Sequence, residues 1–188
     1  THLYQPAFDG DRDKAMARCA EAGVNTLLLP NIDCASIPRV HAMMDQWPDR
    51  CLGMMGLHPC HVKADSMEQE LSTIEGALRD SGRRYVAVGE IGFDLYWDKT
   101  TLAIQHEAFE RQVAWAKELG LPIVIHVREA FEALFEAMDR LNDDRLSGVV
   151  HCFTGNLEQA QRVLAYGDFY LGIGGCLLYT SPSPRDSC

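Results

Sequence analysis

Short continuous runs of apolar residues recur along the chain at intervals of a few tens of residues, separated by stretches in which apolar positions return with the period of a helix. The runs predict strands at Val24–Pro30, Leu52–His58, Tyr85–Glu90, Pro122–His126, Gly148–Phe153 and Phe169–Gly175. Most are apolar at consecutive positions, which marks strands covered on both faces and hence a parallel sheet, either covered by helices or closed on itself. Between the strands, Met67, Leu71, Ile74 and Leu78 share one helical face behind a capping pattern of Ser66 and Gln69. Leu102, Phe109, Val113 and Ala116 form a second stripe, closed by Gly120 and Pro122. A third carries Phe131, Leu134, Phe135, Met138 and Leu141, and a fourth, with Asn156 as N-cap, carries Leu157, Ala160 and Leu164. This alternation is the rhythm of βα units.

Length, composition and charge narrow the picture. The 188 residues suffice for one domain with a substantial core, whereas a complete eight-stranded α/β barrel takes ~250. With 47% hydrophobic and 23% charged residues the chain is a folded globular protein and not a disordered one. No apolar run approaches the ~18 residues of a membrane span, and no export leader is visible, so the expected location is the cytoplasm, with no membrane partner. A net charge of −10 excludes a broad basic face for nucleic acid. Any phosphate chemistry must then take its positive field from local metal ions. Cys19, Cys34, Cys51, Cys60 and Cys152 show no paired spacing and are expected to be reduced and partly buried.

Both ends of the chain depart from a barrel pattern. Thr1 leaves no room for a strand ahead of His2, and "CLLYTSPSPRDSC" is Ser/Pro-rich without helical periodicity where a further helix is expected. The expected organisation is a partial barrel domain over residues 1–175 followed by a non-native tail over 176–188.

Chemistry is sought at the C-terminal ends of the strands, where parallel α/β folds place their sites. Those positions hold Asn31, His58, Glu90, His126 and His151, with His2 where it would follow a truncated first strand. Imidazole nitrogens and a carboxylate, gathered at one mouth, form a ligand set for first-row divalent ions. A glutamate ending an apolar run is costly unless it is paired, hydrogen-bonded or bound to metal. His41, His61 and His106 fall in loop or helix text and are expected not to be ligands.

The ordered motifs "THLY", "GLHP", "VGEIGFD", "QHEAFERQ", "LPIVIHVRE", "VVHCFTG" and "LGIGG" make residues 1 to 175 resemble the TatD family of metal-dependent deoxyribonucleases and hydrolases. The resemblance implies a TIM-type (β/α)8 barrel, incomplete here, with about six of eight βα units. It also implies two divalent metal ions (Mg, Mn or Zn). Glu90 matches the carboxylate that bridges them and is the expected catalytic residue, His126 and His151 match ligands of one ion, and His2 matches half of an HxH pair on the other. Arg128 matches an arginine that meets a phosphate oxygen, and His58 a mouth histidine near substrate. Gln105 and Gln112 match family positions but read equally well as helix residues. The family's metal-binding aspartate on its last strand has no counterpart in this sequence.

The implied activity is cleavage of DNA phosphodiester bonds by a metal-activated water, on a DNA end or single-stranded DNA and with no obligate protein partner. One alternative is a metal-dependent amide or lactone hydrolase of the same superfamily, many of whose members bridge their metals with a modified lysine on the fourth strand. Glu90 holds that place here, and Lys99 lies well past it. The other alternative is an inactive truncated fragment.

Overall fold

The computed structural model describes residues 1–80 and 82–174. The tail expected over 176–188, and the last residue of the sixth expected strand, lie outside the described residues. Six strands occur: β1 (Leu27–Pro30), β2 (Cys51–Met54), β3 (Val88–Asp94), β4 (Ile123–Arg128), β5 (Gly148–Val150) and β6 (Phe169–Leu171). Six helices accompany them: α1 (Arg12–Glu21), α2 (Ile37–Gln46), α3 (Met67–Asp80), α4 (Leu102–Leu119), α5 (Phe131–Leu141) and α6 (Leu157–Ala165). Helices α3 to α6 are the four expected from periodicity. At the end of α4, Gly120 takes the left-handed conformation at φ 62° and its N–H reaches the Ala116 carbonyl. At the start of α6, Asn156 and Gln159 form a reciprocal capping box.

All pairings are parallel and in chain order. Strand β1 pairs with β2, and β3, β4, β5 and β6 follow as a second ladder. A single bridge, Met55 to Val88, joins the two, supported by the Met55 N–H on the Ala87 carbonyl and the Gly89 N–H on the Met55 carbonyl. Among the described residues β1 and β6 each keep an open edge, so five βα units and a sixth strand form without a closed ring. No described helix is long and apolar enough to cross a membrane.

The main core lies between the sheet and α3 to α6. Leu71, Ile74, Phe109, Val113, Leu134, Phe135 and Met138 pack against Val88, Ile91, Phe93, Ile123, Ile125 and Val150. Each such large apolar side chain contributes about 1.5–3 kcal/mol on burial. A second cluster sets Ala15 and Met16 of α1 and Val40 and Met43 of α2 against Leu27, Leu29 and Cys51. The other face of the sheet carries Met54, Ala87 and Val124. They line a cavity of about 550 Å³ shared with Leu28 and Tyr170.

Several strand boundaries differ from expectation. The second strand stops at Met54 instead of His58, because the chain turns away to form a single helical turn at Pro59–His61. The third runs on to Asp94, so Glu90 lies inside a strand buried at all seven positions and not at its end. The fourth likewise continues two residues past His126, to Arg128.

Candidate metal centre

The position of Glu90 follows from an irregularity in β3. Gly89 pairs with Val124 and Ile91 with Ile125, which leaves Glu90 as an extra residue without a partner on β4. Such a bulge re-aims one side chain while the ladder resumes on either side. The flanking glycines are required by contact. A Cβ at Gly89 would lie 2.7 Å from Val124 Cβ, and one at Gly92, where φ is +139°, would lie 2.1 Å from the His126 carbonyl oxygen. Neither place admits a side chain.

Glu90 is only 2% exposed. Its two oxygens face different histidines. Oε2 is 3.8 Å from His2 Nε2, and Oε1 is 3.5 Å from His126 Nδ1. Oε1 has no hydrogen-bond partner. Burial pushes the Glu90 carboxyl up, but the His126 ring, together with His58 and His151, pulls it further down, so its net shift is below the ordinary carboxylate value. A buried, ionised oxygen without a donor is expensive. A divalent cation between it and the imidazoles satisfies that oxygen, and the mixed nitrogen and carboxylate donors suit a first-row ion. The residues present therefore fit a metal.

His126 is held from its other side. Its Nε2 lies 2.8 Å from Asp94 Oδ2, at the end of β3. Burial favours neutral His126, but the Glu90 and Asp94 carboxylates on its two nitrogens reverse this and raise its pKa. Asp94 is 3% exposed. Burial pushes its carboxyl up, whereas His126 and the Tyr96 N–H, which donates to Oδ1 at 3.0 Å, bring it below the ordinary range. Its backbone is clamped by Gln105 of α4. The Asp94 N–H donates to Gln105 Oε1 at 2.9 Å, and Gln105 Nε2 donates to the Asp94 carbonyl at 3.0 Å. Gln112, two turns along α4, does the same for Leu57, accepting its N–H at 2.6 Å and donating to its carbonyl at 3.3 Å. These glutamines are neither ligands nor idle helix residues. They fix the segments that carry Asp94 and His58.

The ring of His58 sits 4.3 Å from that of His126. Burial, then the His126 ring, push its pKa down to about 3, so it is a neutral imidazole. His2 is also lowered, mainly by burial and against the pull of Glu90, and its Nδ1 is 2.7 Å from the Tyr4 hydroxyl. The Tyr4 hydroxyl in turn donates to the Pro30 carbonyl. Asn31, buried after β1, accepts the Glu90 N–H on its carbonyl at 3.2 Å, and its side chain donates to Gly56 and Asp33. It braces the backbone of the site.

His151 follows β5 directly, but its Nε2 lies 3.4 Å from Cys152 Sγ, and it makes no contact with Glu90 like those of His2 and His126. The guanidinium of Arg128 lies 3.6 Å from the centroid of the Tyr96 ring. The remaining histidines have other partners: His41 bonds the Tyr85 hydroxyl, His61 faces Asp33 at 3.1 Å, and His106 packs on Phe93.

Two further residues belong to the site. Asp94 lies beyond the strand end expected at Glu90, and the ladder that carries it there resumes only after the bulge. Cys60 is exposed instead of partly buried, as is Cys152. The donor atoms of His58, Cys60 and His126 lie within 4.8 Å of one another. Burial and Asp94 push the Cys60 thiol up to about 12, so it is protonated in the absence of metal.

Comparison with known proteins places this geometry. The sequence matches the family model described as TatD related DNase over residues 1–187. The chain belongs to the TatD-related DNase family. Similar TatD relatives include the uncharacterized metal-dependent hydrolase YabD of Bacillus subtilis (strain 168), 33% identical over 174 residues, covering 93% of this chain and 66% of that protein. The 3'-5' ssDNA/RNA exonuclease TatD of Edwardsiella piscicida is 36% identical over 175 residues, covering 93% of this chain and 65% of that one. The crystal structure of YjjV, a TatD homologue from Escherichia coli K12, superposes with a TM-score of 0.85 at 31% identity, over 98% of this chain and 70% of its own. The chain thus spans about two thirds of the length of its curated TatD relatives. Its six described parallel strands and their helices are those of a TIM-type TatD fold.

Proposed function

We propose that the protein is a divalent-metal-dependent phosphodiesterase that shortens nucleic acid from an end, DNA in the first instance. The observation that carries this is Glu90, a buried carboxylate with one oxygen toward His2, the other toward His126, and no hydrogen bond on the latter. One histidine per oxygen is the arrangement that a carboxylate shared by two ions requires. In this reading His2 and Glu90 hold one ion, and Glu90, His126 and His151 hold the other. Mg, Mn or Zn bound there supplies an acidified water and Lewis-acid stabilisation of the phosphate oxygens.

The chain's own groups do the rest. Asp94 keeps the His126 proton on Nε2, so the Nδ1 lone pair faces Glu90. His58, neutral and beside His126, borders the mouth without adding charge. Arg128 supplies a fork of donors for a non-bridging phosphate oxygen. Relatives named as 3'-5' ssDNA/RNA exonucleases support a nucleic-acid substrate, and relatives named as metal-dependent hydrolases support metal use. Glu90 in the bridging place disfavours amide or lactone hydrolysis through a modified lysine.

The test is cleavage of 3′-labelled single-stranded DNA, and of an amide and lactone panel, with added Mg²⁺, Mn²⁺ or Zn²⁺ and with chelator. Metal-dependent DNA cleavage that is lost on Glu90→Gln is expected. Cleavage untouched by chelator or by that substitution, or turnover of the panel alone, refutes the assignment.

A further inference from the structure

Directly after Asp94 the chain presents two large aromatic side chains to solvent. Tyr96 is 46% exposed and Trp97 73%. Their rings stand edge-on, with centroids 4.7 Å apart and planes at 89°, so Tyr96 meets at most one face of Trp97. Exposure of this degree is unusual for a tryptophan, which normally buries most of its surface. The pair is also anchored to the site. Tyr96 N–H donates to Asp94 Oδ1, and Asp94 holds His126. Trp97 lines a cleft of about 130 Å³ together with Pro59, Cys60, Asp94 and Gln105.

Arg128 completes the arrangement. Its Cζ sits 3.6 Å from the Tyr96 ring centroid and 5.7 Å from that of Trp97. Most other arginines are spent on carboxylates, among them Arg12, Arg39, Arg79, Arg111, Arg140 and Arg162. Among the described residues the Arg128 guanidinium makes no ion pair and no hydrogen bond, so contact with the Tyr96 ring holds it while its donors stay open. An open cation beside an open aromatic face matches one phosphate and one base of the same nucleotide strand.

The geometry points to Trp97 as a base-stacking platform for the strand end: a nucleobase lies on its exposed face while Arg128, held by Tyr96, takes the adjoining phosphate. This rests on the nuclease reading above and adds what that reading lacks, a source of affinity on a protein of net charge −10. With no basic track along the surface, stacking, which tolerates any base, supplies the grip. It also favours single strands over the interior of a duplex, where each base is already stacked on both faces.

The experiment compares the wild type with Trp97→Ala and Trp97→Phe in steady-state cleavage of short oligodeoxythymidine with Mn²⁺. Each is also given the same oligomer carrying abasic sugars in its 3′-terminal nucleotides. Trp97→Ala is expected to raise KM for the intact oligomer about 5- to 100-fold. Trp97→Phe, which keeps a π-face, should stay near the wild type, and Trp97→Ala should make little difference on the abasic oligomer. Wild-type cleavage with KM unchanged in Trp97→Ala, or with the same loss on the abasic oligomer, overturns the platform and leaves the nuclease reading intact. Absence of any metal-dependent cleavage by the wild type overturns both. Thermal unfolding of the variants checks the fold, which a side chain so exposed should not disturb.

Discussion

Replacing Asp94 by Asn keeps shape and one acceptor oxygen but removes the charge behind His126. The 2.8 Å contact to Nε2 changes from a charge-assisted hydrogen bond, contributing about 1.5–3 kcal/mol, to a neutral one of about 1 kcal/mol. The difference, about 0.5–2 kcal/mol, bounds the extra basicity that Asp94 lends to the Nδ1 lone pair facing Glu90. Metal affinity should therefore fall about 2- to 30-fold in Asp94→Asn. The pH dependence carries a second signature. In the wild type His126 is raised by Glu90 and Asp94, so a proton competes with metal up to a pH above that of an ordinary histidine, and affinity climbs only as pH passes through that raised value. With the Asp94 charge gone, the climb should move to lower pH. Calorimetric Mn²⁺ or Zn²⁺ titrations with a competing chelator, from about pH 5 to 9, measure both effects. Equal affinities and a common midpoint in the two proteins would refute the role given to Asp94.

Two further substitutions test how the site is held. Gly92→Ala places a Cβ 2.1 Å from the His126 carbonyl at φ +139°, and should destabilise the protein by at least about 3 kcal/mol, or prevent folding, in chemical denaturation. Near-wild-type stability would mean that β3 and β4 do not approach as described. Gln112→Leu keeps most of the volume but leaves the buried N–H and carbonyl of Leu57 without partners. A loss of about 2–4 kcal/mol is expected, with the same change at exposed Gln69 as the silent control; equal effects at both positions would remove the clamp.

The central strands were legible because β3 and most of β4 are buried on both faces and so read as apolar text. Their ends were not, since nothing in "GEIGFDLY" shows that the ladder resumes after Glu90 and carries Asp94 into the site. Helix α1 is faint in the sequence because only its Ala15 and Met16 are buried, whereas α2 does carry Ile37, Val40 and Met43 at helical spacing behind a proline in its first turn. The histidines were found by topology, which places residues at one rim but does not aim them. His2 and His126 face Glu90, whereas His151 lies against Cys152. The glutamines of α4 could not be sorted into ligand or clamp without seeing that their amides match the backbone of Asp94 and Leu57 group for group.

The bulge separates two things that usually travel together in a strand. Val88, Ile91 and Phe93 all belong to the same core, although the count from 88 to 91 is odd. Loss of the Glu90 codon would put these three on strict alternation, with the ladder to β4 unbroken and the core facing as before. A lineage could in this way gain or shed the reactive carboxylate in one codon step with its architecture unchanged. Overall resemblance to this fold is then a weak guide to activity, and the number of residues between Val88 and Ile91 is a sharper one.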